Sequence, residues 1–234
     1  TTARTMPGGT TRADHDRFTE FLRESVKEDW NKIVEHPFTD ALAAGTIGQD
    51  AMRTYLIQDH RFLDNFVVLL ASMVAHAPSL KDRIPGCQFL ALITGKENTY
   101  FERSLEALGV SEEESKAAPM QECTQGFLDL MMEASSSGKL HKMLSVLVVA
   151  EWSYLSWGTR VSGSRAKDLP FWCGEWIDLH CGDYFESVIG YLRGLLDAEG
   201  RRMTEEEASE AQDMFSRAVR LEVSFFDHAW ALHK

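Results

Sequence analysis

The chain has 234 residues, of which 44% are hydrophobic, and this is enough apolar material for a substantial buried core. Its 36 acidic residues exceed its 24 basic residues, which gives a formal net charge of −12 at pH 7. This balance argues against a nucleic acid or an anionic membrane surface as the partner, and it favours a neutral or cationic small molecule.

The start of the chain differs in composition from the rest, because it is rich in Thr, Gly and Arg and has no apolar run. We predict a disordered tail over residues 1–12 and one all-α domain over residues 13–234, since no linker divides the remainder. No stretch has the apolar length of a membrane span, and the four cysteines form no CxxC pair. These features predict a cytoplasmic protein with reduced thiols at Cys87, Cys123, Cys173 and Cys181.

From Asp14 onward, apolar residues recur with the 3.6-residue period of a helix, and runs rich in β-branched residues are almost absent. The pattern predicts eight to ten helices, in the ranges 18–33, 46–76, 78–108, 122–133, 140–157, 170–181, 184–198 and 204–232, with a further start near residue 111. Capping boxes are indicated by three pairs with the required spacing, Thr46 with Gln49, Ser111 with Glu114, and Thr204 with Glu207.

The longest apolar run, residues 143–158, is interrupted by one carboxylate, Glu151. On a helix with about 100° per residue, Ala150 and Glu151 lie roughly 40° and 60° from Tyr154, so all three can share one wall. A buried carboxylate without a partner is costly unless it is neutralised or faces a wet cavity. Glu151 therefore marks either a pocket or a buried polar network.

Two further carboxylates interrupt apolar stripes on other predicted helices. Asp59 lies four residues after Tyr55 and is followed by Phe62 and Phe66 on the same face, so it is expected to point inward. Glu222 likewise lies within an apolar stripe, that of the last predicted helix. Together with Glu151, these residues place three acids on three separate apolar stripes.

Each of these side chains also has an ordinary structural explanation. An inward Asp or Glu often pairs with an arginine or caps a neighbouring helix, and Tyr154 alone reads as a core tyrosine. His180, which ends an aromatic face that contains Trp172 and Trp176, alone reads as a satisfied core histidine. Three carboxylates on three apolar stripes nevertheless exceed what packing requires. Burial among aromatic rings raises carboxyl pKa values toward the range useful for acid and base catalysis.

Several kinds of chemistry lack their sequence motifs. The chain contains no Glu-x-x-His for a di-iron bundle, no GxGxxG or GxxxxGK[ST] for nucleotides, no HExxH and no GxSxG. We therefore expect no metal and no organic cofactor. What remains is a helical protein with a pocket lined by carboxylates and aromatic rings.

Four segments together resemble the TenA/Thi-4 family in order and spacing: IQDHRFLDNF around Asp59, AEWSYLSWG around Glu151, EWIDLHCGDYF around His180 and RLEVSFFDHAW around Glu222. The resemblance covers almost the whole chain from Phe18 onward. It implies a haem-oxygenase-like all-α fold and a homo-oligomer, a dimer or tetramer. It also implies a pocket for a 4-amino-2-methylpyrimidine substituted at C5, and thiaminase II or aminopyrimidine hydrolase activity in thiamin salvage.

The resemblance assigns family roles to individual positions of this chain. The aspartate that holds the pyrimidine falls on Asp59, the catalytic glutamate on Glu222, and the tyrosine one turn after the nucleophile on Tyr154. The nucleophilic cysteine falls on Ala150, however, so the chain resembles the cysteine-lacking branch called TenA-E. Glu151, beside the vacant position, is then the candidate to replace part of the function of the thiol.

Two other departures lie at pocket tyrosines of the family, which fall on Phe127 and His180. The TenA-E resemblance implies hydrolysis of formylaminopyrimidine, aminopyrimidine or both, giving hydroxymethylpyrimidine. Since alanine cannot add to the pyrimidine ring, we expect Glu151 and Glu222 to act as acid and base. We expect Asp59 to pair with the pyrimidine, and Tyr154 and His180 to orient water or the leaving group. The ring should be sandwiched by aromatic residues such as Phe62, Phe66 and Phe127.

Two other classes of function stay open from the sequence. Loss of the nucleophile is also expected when an enzyme loses its activity during evolution. A non-catalytic pyrimidine-binding or regulatory protein is therefore the alternative. A haem-degrading or quinone-cofactor enzyme on the same fold is less favoured. Haem ligation requires an inward histidine, and neither His15 nor His36 lies in an apolar helical stripe.

Overall fold

The structure is a computed structural model that describes residues 11–233. Within this range the chain forms twelve α-helices, a 3-10 turn and a π turn, with no strand, which confirms the all-α prediction. The tail predicted over residues 1–12 falls outside the described residues except for its last two. The helices are α1 Phe18–Ser25, α2 Lys27–Val34, α3 Pro37–Ala44, α4 Gln49–His76, α5 Leu80–Leu92, α6 Asn98–Ala107, α7 Glu112–Ala117, α8 Glu122–Ser136, α9 Leu140–Ser162, α10 Phe171–Leu179, α11 Asp183–Gly200 and α12 Glu205–Trp230.

The single helix predicted over residues 18–33 is divided into α1 and α2. The backbone leaves the helical conformation at Val26, with φ −127° and ψ 23°. The hydroxyl of Ser25 donates to the carbonyl of Leu22, which gives the end of α1 a local hydrogen bond in place of a further turn. The apolar period continues through the break, which is why the sequence pattern did not reveal it.

Helix α3 was not predicted, and the capping box expected at Thr46 is wrong. Helix α3 begins at Pro37, where proline suits the first turn, and the ring of His36 accepts a hydrogen bond from the amide of Phe38. It ends at Gly45, whose φ of 70° is the left-handed conformation that glycine adopts readily. The hydroxyl of Thr46 donates back to the carbonyl of Ala41, so it is not free to cap α4.

The helix predicted over residues 78–108 is continuous but contains an irregular π turn. Helices α5 and α6 are joined by the π turn Ile93–Glu97. The capping boxes at Ser111 and Thr204 are both present, and they fix the starts of α7 and α12. The helix count exceeds the expected eight to ten because of the division at Val26 and at this turn, and because of α3.

Helix α9 lies at the centre of the molecule. It packs against α2, α3, α4, α8, α10, α11 and α12, and its side chains are buried on nearly every face. All four cysteines are free thiols, as predicted. None of the helices between Thr11 and His233 has the length and apolar character required to cross a lipid bilayer. The central helix therefore brings Ala150, Glu151 and Tyr154 into contact with most other elements.

Candidate active site

A cavity at the centre of the bundle contains about 480 Å³ of space free of protein atoms, some of it at the opening. All eight of the predicted site residues line it: the acids Asp59, Glu151 and Glu222, the rings Phe62, Phe66 and Phe127, and the polar residues Tyr154 and His180. The structure thus brings the predicted residues together, while their individual roles stay predictions.

Asp59 is supplied by the middle of α4 and is 8% exposed. Its Oδ2 atom is buried and has no hydrogen-bond partner. Burial raises the pKa of Asp59 to about 7, and hydrogen bonding from Tyr55 partly opposes this shift. An unpaired buried carboxyl oxygen is costly, so it is available to bind a donor or, when protonated, an acceptor on a ligand.

Glu151 of α9 and Glu222 of α12 are also buried, at 9% and 3% exposure. Burial is the main reason that the pKa of each glutamate is raised well above its ordinary value. The charges of Glu97, Glu222 and Asp59 add to the shift of Glu151, and the charge of Asp59 adds to that of Glu222. The cavity wall, as far as the structure describes it, contains no lysine or arginine. The site therefore favours protonated carboxyls until a cationic or hydrogen-bonding ligand enters.

Tyr154 belongs to a buried chain of hydrogen bonds that also contains Trp176 and Tyr55. The indole N–H of Trp176 donates to the hydroxyl oxygen of Tyr55 over 3.2 Å, and the hydroxyl oxygens of Tyr55 and Tyr154 are 2.8 Å apart. Either of these two hydroxyls can be the donor, and the other then accepts from it. The hydroxyl of Tyr154 is thereby held by Tyr55 at the wall of the cavity.

His180 follows the last turn of α10 and lines the cavity in its neutral form. Its Nδ1 atom lies 2.8 Å from the backbone carbonyl of Trp176. A carbonyl only accepts, so Nδ1 carries the proton and Nε2 is an acceptor. Burial lowers the pKa of His180 to about 4. Gly158 of α9 permits this arrangement, because a Cβ atom there would lie 2.3 Å from the carbonyl oxygen of His180.

The three phenylalanines form one wall of the cavity. The ring centroids of Phe62 and Phe66 are 5.5 Å apart and stacked, and Phe127 meets Phe62 edge to face at 5.1 Å. A flat ligand does not fit between rings at these separations. The expected sandwich of the ring therefore does not use the Phe62–Phe66 or the Phe62–Phe127 pair at these distances, and otherwise it stays a prediction.

Sequence reasoning missed one acidic residue of the site, Glu97. It ends the π turn and lines the same cavity as the other acids. A signal was present, because Phe89, Ile93, Glu97 and Phe101 follow one another at steps of four and make an apolar stripe with a carboxylate in it. No group of three His, Cys, Asp or Glu side chains in the described part of the chain is arranged to hold a metal ion. The four acids are thus neighbours without being a ligand cluster.

Comparison with protein families gives a match over most of the chain. The model of the TENA/THI-4/PQQC family matches residues 23–232. The aminopyrimidine aminohydrolase of Helicobacter pylori is 21% identical over 212 residues, which cover 90% of this chain and 97% of that protein. The aminopyrimidine aminohydrolase of Bacillus subtilis is 23% identical over 214 residues, which cover 92% of this chain and 90% of that protein.

Solved structures with the same arrangement of helices include a TenA homologue from Pyrococcus furiosus, with a TM-score of 0.81, 21% identity and coverage of 91% of this chain and 99% of that chain. A TenA family transcription regulator from Silicibacter has a TM-score of 0.79 at 25% identity, covering 91% and 96%. A domain from Shewanella denitrificans, described as having a heme oxygenase-like fold, has a TM-score of 0.67 at 13% identity, covering 91% and 92%. These likenesses confirm the predicted haem-oxygenase-like fold.

Proposed function

The chain belongs to the TENA/THI-4/PQQC family, and from this premise we propose that it hydrolyses a C–N bond of a small aminopyrimidine in thiamin-pyrimidine salvage. The substrates are formylaminopyrimidine, aminopyrimidine or both, and the final product is hydroxymethylpyrimidine. The observation that carries the proposal is the cavity itself, in which four carboxyls and an aromatic wall surround a space that no described lysine or arginine lines. Such a site suits a flat, nitrogen-rich and neutral or cationic ring.

Asp59 is the proposed anchor of the pyrimidine. Its unpaired Oδ2 atom needs a partner, and a 4-aminopyrimidine presents a ring nitrogen that accepts beside an amino group that donates. With a pKa of about 7, the carboxyl can donate to the ring nitrogen through one oxygen and accept from the amino group through the other. The ring then stacks on the wall made by Phe62, Phe66 and Phe127.

Glu151 and Glu222 are the proposed acid and base. In formamide hydrolysis, one carboxylate takes a proton from water as the water oxygen bonds to the formyl carbon. The other carboxyl gives a proton to the departing nitrogen as the C–N bond breaks, so formic acid and aminopyrimidine are released. Mutual repulsion in a buried site drives the pKa values of such carboxyls apart, which allows one to be ionised while the other is protonated.

Tyr154 and His180 have the hydrogen-bonding capacity to orient the water or the leaving amine. The Nε2 atom of His180 is an acceptor, because the proton on Nδ1 is engaged by the Trp176 carbonyl. The hydroxyl of Tyr154 can accept or donate, since either hydroxyl of the Tyr55–Tyr154 pair can be the donor. Attacking water and a departing amine both carry N–H or O–H donors, so His180 matches them as an acceptor and Tyr154 can adjust to either.

Ala150 makes thiamin itself a poor substrate. It lines the cavity where the family resemblance expects the nucleophilic cysteine, and a methyl group cannot add to the ring. We therefore assign the chain to the cysteine-lacking TenA-E branch, in which two carboxyls do the work without a covalent intermediate. The proposed reaction needs only water as a second substrate.

The test is incubation of the purified protein with formylaminopyrimidine and, separately, with aminopyrimidine. Formate, ammonia and hydroxymethylpyrimidine are measured by NMR and mass spectrometry. Glu151→Gln and Glu222→Gln should each lower kcat by about 10²-fold or more, the usual contribution of acid and base catalysis. Glu206→Gln, an exposed glutamate on the same helix as Glu222, is the matched control and should leave kcat unchanged.

A non-catalytic pyrimidine-binding protein is the second candidate, favoured by the loss of the thiol at position 150 and by the name of the Silicibacter neighbour. The same incubation separates the two functions. A binder saturates with hydroxymethylpyrimidine in calorimetry but releases neither formate nor ammonia. Release of either product at a rate that depends on Glu151 and Glu222 rules out the binding-only function.

A further inference from the structure

His36 is a buried histidine outside the cavity that joins the start of α3 to α12. It is 5% exposed. Its Nδ1 atom accepts a hydrogen bond from the amide of Phe38 over 3.1 Å, and its Nε2 atom lies 3.2 Å from Oδ1 of Asp227. A backbone amide only donates, so Nδ1 carries no proton, and Nε2 carries the proton and donates to the carboxylate. The two partners thus select one neutral form of the ring.

This hydrogen bond to the first turn of α3 exists only while His36 is neutral. Pro37 supplies no N–H, and the amide of Thr39 is paired with the backbone carbonyl of His36, so the ring is the acceptor for the amide of Phe38. A second proton on the ring would lie on Nδ1. Two donors would then face each other, and the cap would be lost. The charged ring would also lie at the positive end of the helix dipole.

His36 is within reach of water. It lines a surface groove that contains about 760 Å³ of space, part of it open solvent, and its partner Asp227 is 66% exposed. Burial lowers the pKa of His36 below its usual value of 6.5, and the hydrogen bond and charge of Asp227, followed by the charge of Asp40, oppose this change. The charged groups around the ring lie on four helices and the end of one of them: Glu28 and Lys32 of α2, Glu35 after it, Asp40 of α3, Arg160 of α9, which pairs with Asp40, and Asp227 of α12. The ring is therefore neutral at pH 7 and takes up a proton in acid.

Aromatic rings connect the capped turn to the wall of the cavity. Phe38 packs on Tyr55 with ring centroids 4.7 Å apart, and the hydroxyl of Tyr55 lies 2.8 Å from that of Tyr154. The ring of Phe226 lies 5.4 Å from that of His36 and 5.5 Å from that of Phe38. It also lies 5.9 Å from the ring of Tyr154, which lines the cavity. Because these rings are closely packed, a displacement of the first turn of α3 displaces its neighbours as well.

We propose that His36 is a positioning residue for the cavity and that it works only while its ring is neutral. The neutral ring holds the first turn of α3, and Phe38 within it, against Tyr55. Protonation releases that turn, Tyr154 is held less firmly, and pyrimidine binding weakens. The cap of α3 is independent of the function proposed above, whereas its effect on pyrimidine binding rests on that function.

The first test is nuclear magnetic resonance of the ligand-free protein between pH 7.5 and 4.5. Nitrogen spectra of the imidazoles should show the proton of His36 on Nε2 at pH 7.5. The amide of Phe38 and the ring signals of Tyr154 should change with the same midpoint as His36, and the Phe38 amide should exchange faster with solvent below that midpoint. A proton on Nδ1 at pH 7.5, or a Tyr154 ring that does not respond to the titration of His36, overturns the proposal.

The second test is calorimetry of hydroxymethylpyrimidine binding over the same pH range. His36→Ala should weaken binding at pH 7.5. His36→Asn should recover most of that loss, because its amide can accept from Phe38 and donate to Asp227, and it does not titrate. Between pH 7.5 and 4.5 the wild type should lose about fivefold more affinity than His36→Asn, the low end of typical coupling between two sites. His228→Asn, at an exposed histidine of α12, is the matched control and should follow the wild type.

The two tests separate failure of this inference from failure of the proposed function. If hydroxymethylpyrimidine does not bind at pH 7.5 but the Tyr154 ring follows the titration of His36, the proposed function is refuted and the positioning role stands. If it binds with the same pH dependence in the wild type and in His36→Asn, the positioning role is refuted and the proposed function stands. Since coupling is reciprocal, saturating hydroxymethylpyrimidine should also lower the pKa of His36 by about 0.7. An unchanged pKa would contradict the coupling.

Discussion

Replacing Asp59 with asparagine is expected to stabilise the ligand-free protein at alkaline pH. The pKa of Asp59 rises from 3.8 to about 7 on folding, mainly because burial disfavours its charge. A folded-state pKa above the unfolded value means that the stability associated with protonation is fully present below about pH 4. It is lost as the pH rises through about 7. Asparagine cannot ionise, so the variant escapes this loss.

The size of the effect follows from the shift. About three pKa units at ~1.4 kcal/mol each give an upper value of about 4 kcal/mol above pH 7. Near pH 4 the wild-type carboxyl is largely protonated. The buried Oδ2 position has no hydrogen-bond partner, so the protonated carboxyl and the amide of the variant are both left with an unpaired donor there. The variant and the wild type should therefore be nearly equal at pH 4 and differ by about 2–4 kcal/mol at pH 8.

The assay is urea unfolding followed by circular dichroism at pH 4, 5, 6, 7 and 8, with the free energy of unfolding extrapolated to water. Asp64→Asn is the matched control, because Asp64 lies on α4 but is exposed. The reasoning is refuted if the difference between Asp59→Asn and wild type is constant across this range, or if the variant is the less stable protein at pH 8. The control should show neither a gain nor a trend.

Three further outcomes are expected. Tyr55→Phe removes the acceptor of the Trp176 indole N–H and the partner of a second buried hydroxyl, so the free energy of unfolding should fall by about 1–3 kcal/mol, measured by urea unfolding. Gly158→Ala places a methyl group against the His180 carbonyl, and it should cost about 1–3 kcal/mol and reduce pyrimidine affinity, measured by calorimetry. Because Ala150 occupies the nucleophile position, thiamin should not be cleaved, as chromatography of the pyrimidine product would show.

Controls for these variants come from exposed or open positions. Tyr184→Phe removes a hydroxyl from a side chain that is 51% exposed and should leave stability unchanged. Gly163→Ala introduces a Cβ that meets no atom within 4 Å, so it should neither destabilise the protein nor alter affinity. Equal losses in Gly158→Ala and Gly163→Ala would contradict the contact with His180. Thiamin cleavage by the wild-type protein at a rate comparable to its aminopyrimidine hydrolysis would contradict the role given to Ala150.

Helix boundaries were predictable from the sequence where hydrogen bonds between neighbouring residues fix them. The capping pairs that begin with Ser111 and Thr204 fixed two helix starts, since side chain and backbone satisfy each other within four residues. Periodicity failed where the apolar stripe continues through a break, as at Val26, or through an irregular turn, as at the π turn Ile93–Glu97. At such points the backbone follows the packing of neighbouring helices, which no local pattern encodes.

The candidate site was predictable to the extent that its acids interrupt apolar stripes. Asp59, Glu151 and Glu222 were found in this way, and Glu97 could have been found by the same rule. The apolar stripes do not predict whether aromatic residues lie on both faces of the bound ring. Whether Phe62 and Phe127 lie on two sides of a ligand or meet edge to face depends on the distance between α4 and α8.

The sequence by itself determined which residues carry charge into apolar surroundings, and it determined the helical class and the family. Only the tertiary structure decided that four acids from separate segments share one cavity. The reason is physical: helical periodicity is a property of neighbours in the chain. Ionisation in a buried site instead depends on solvent exclusion and on distances between side chains that the whole bundle sets.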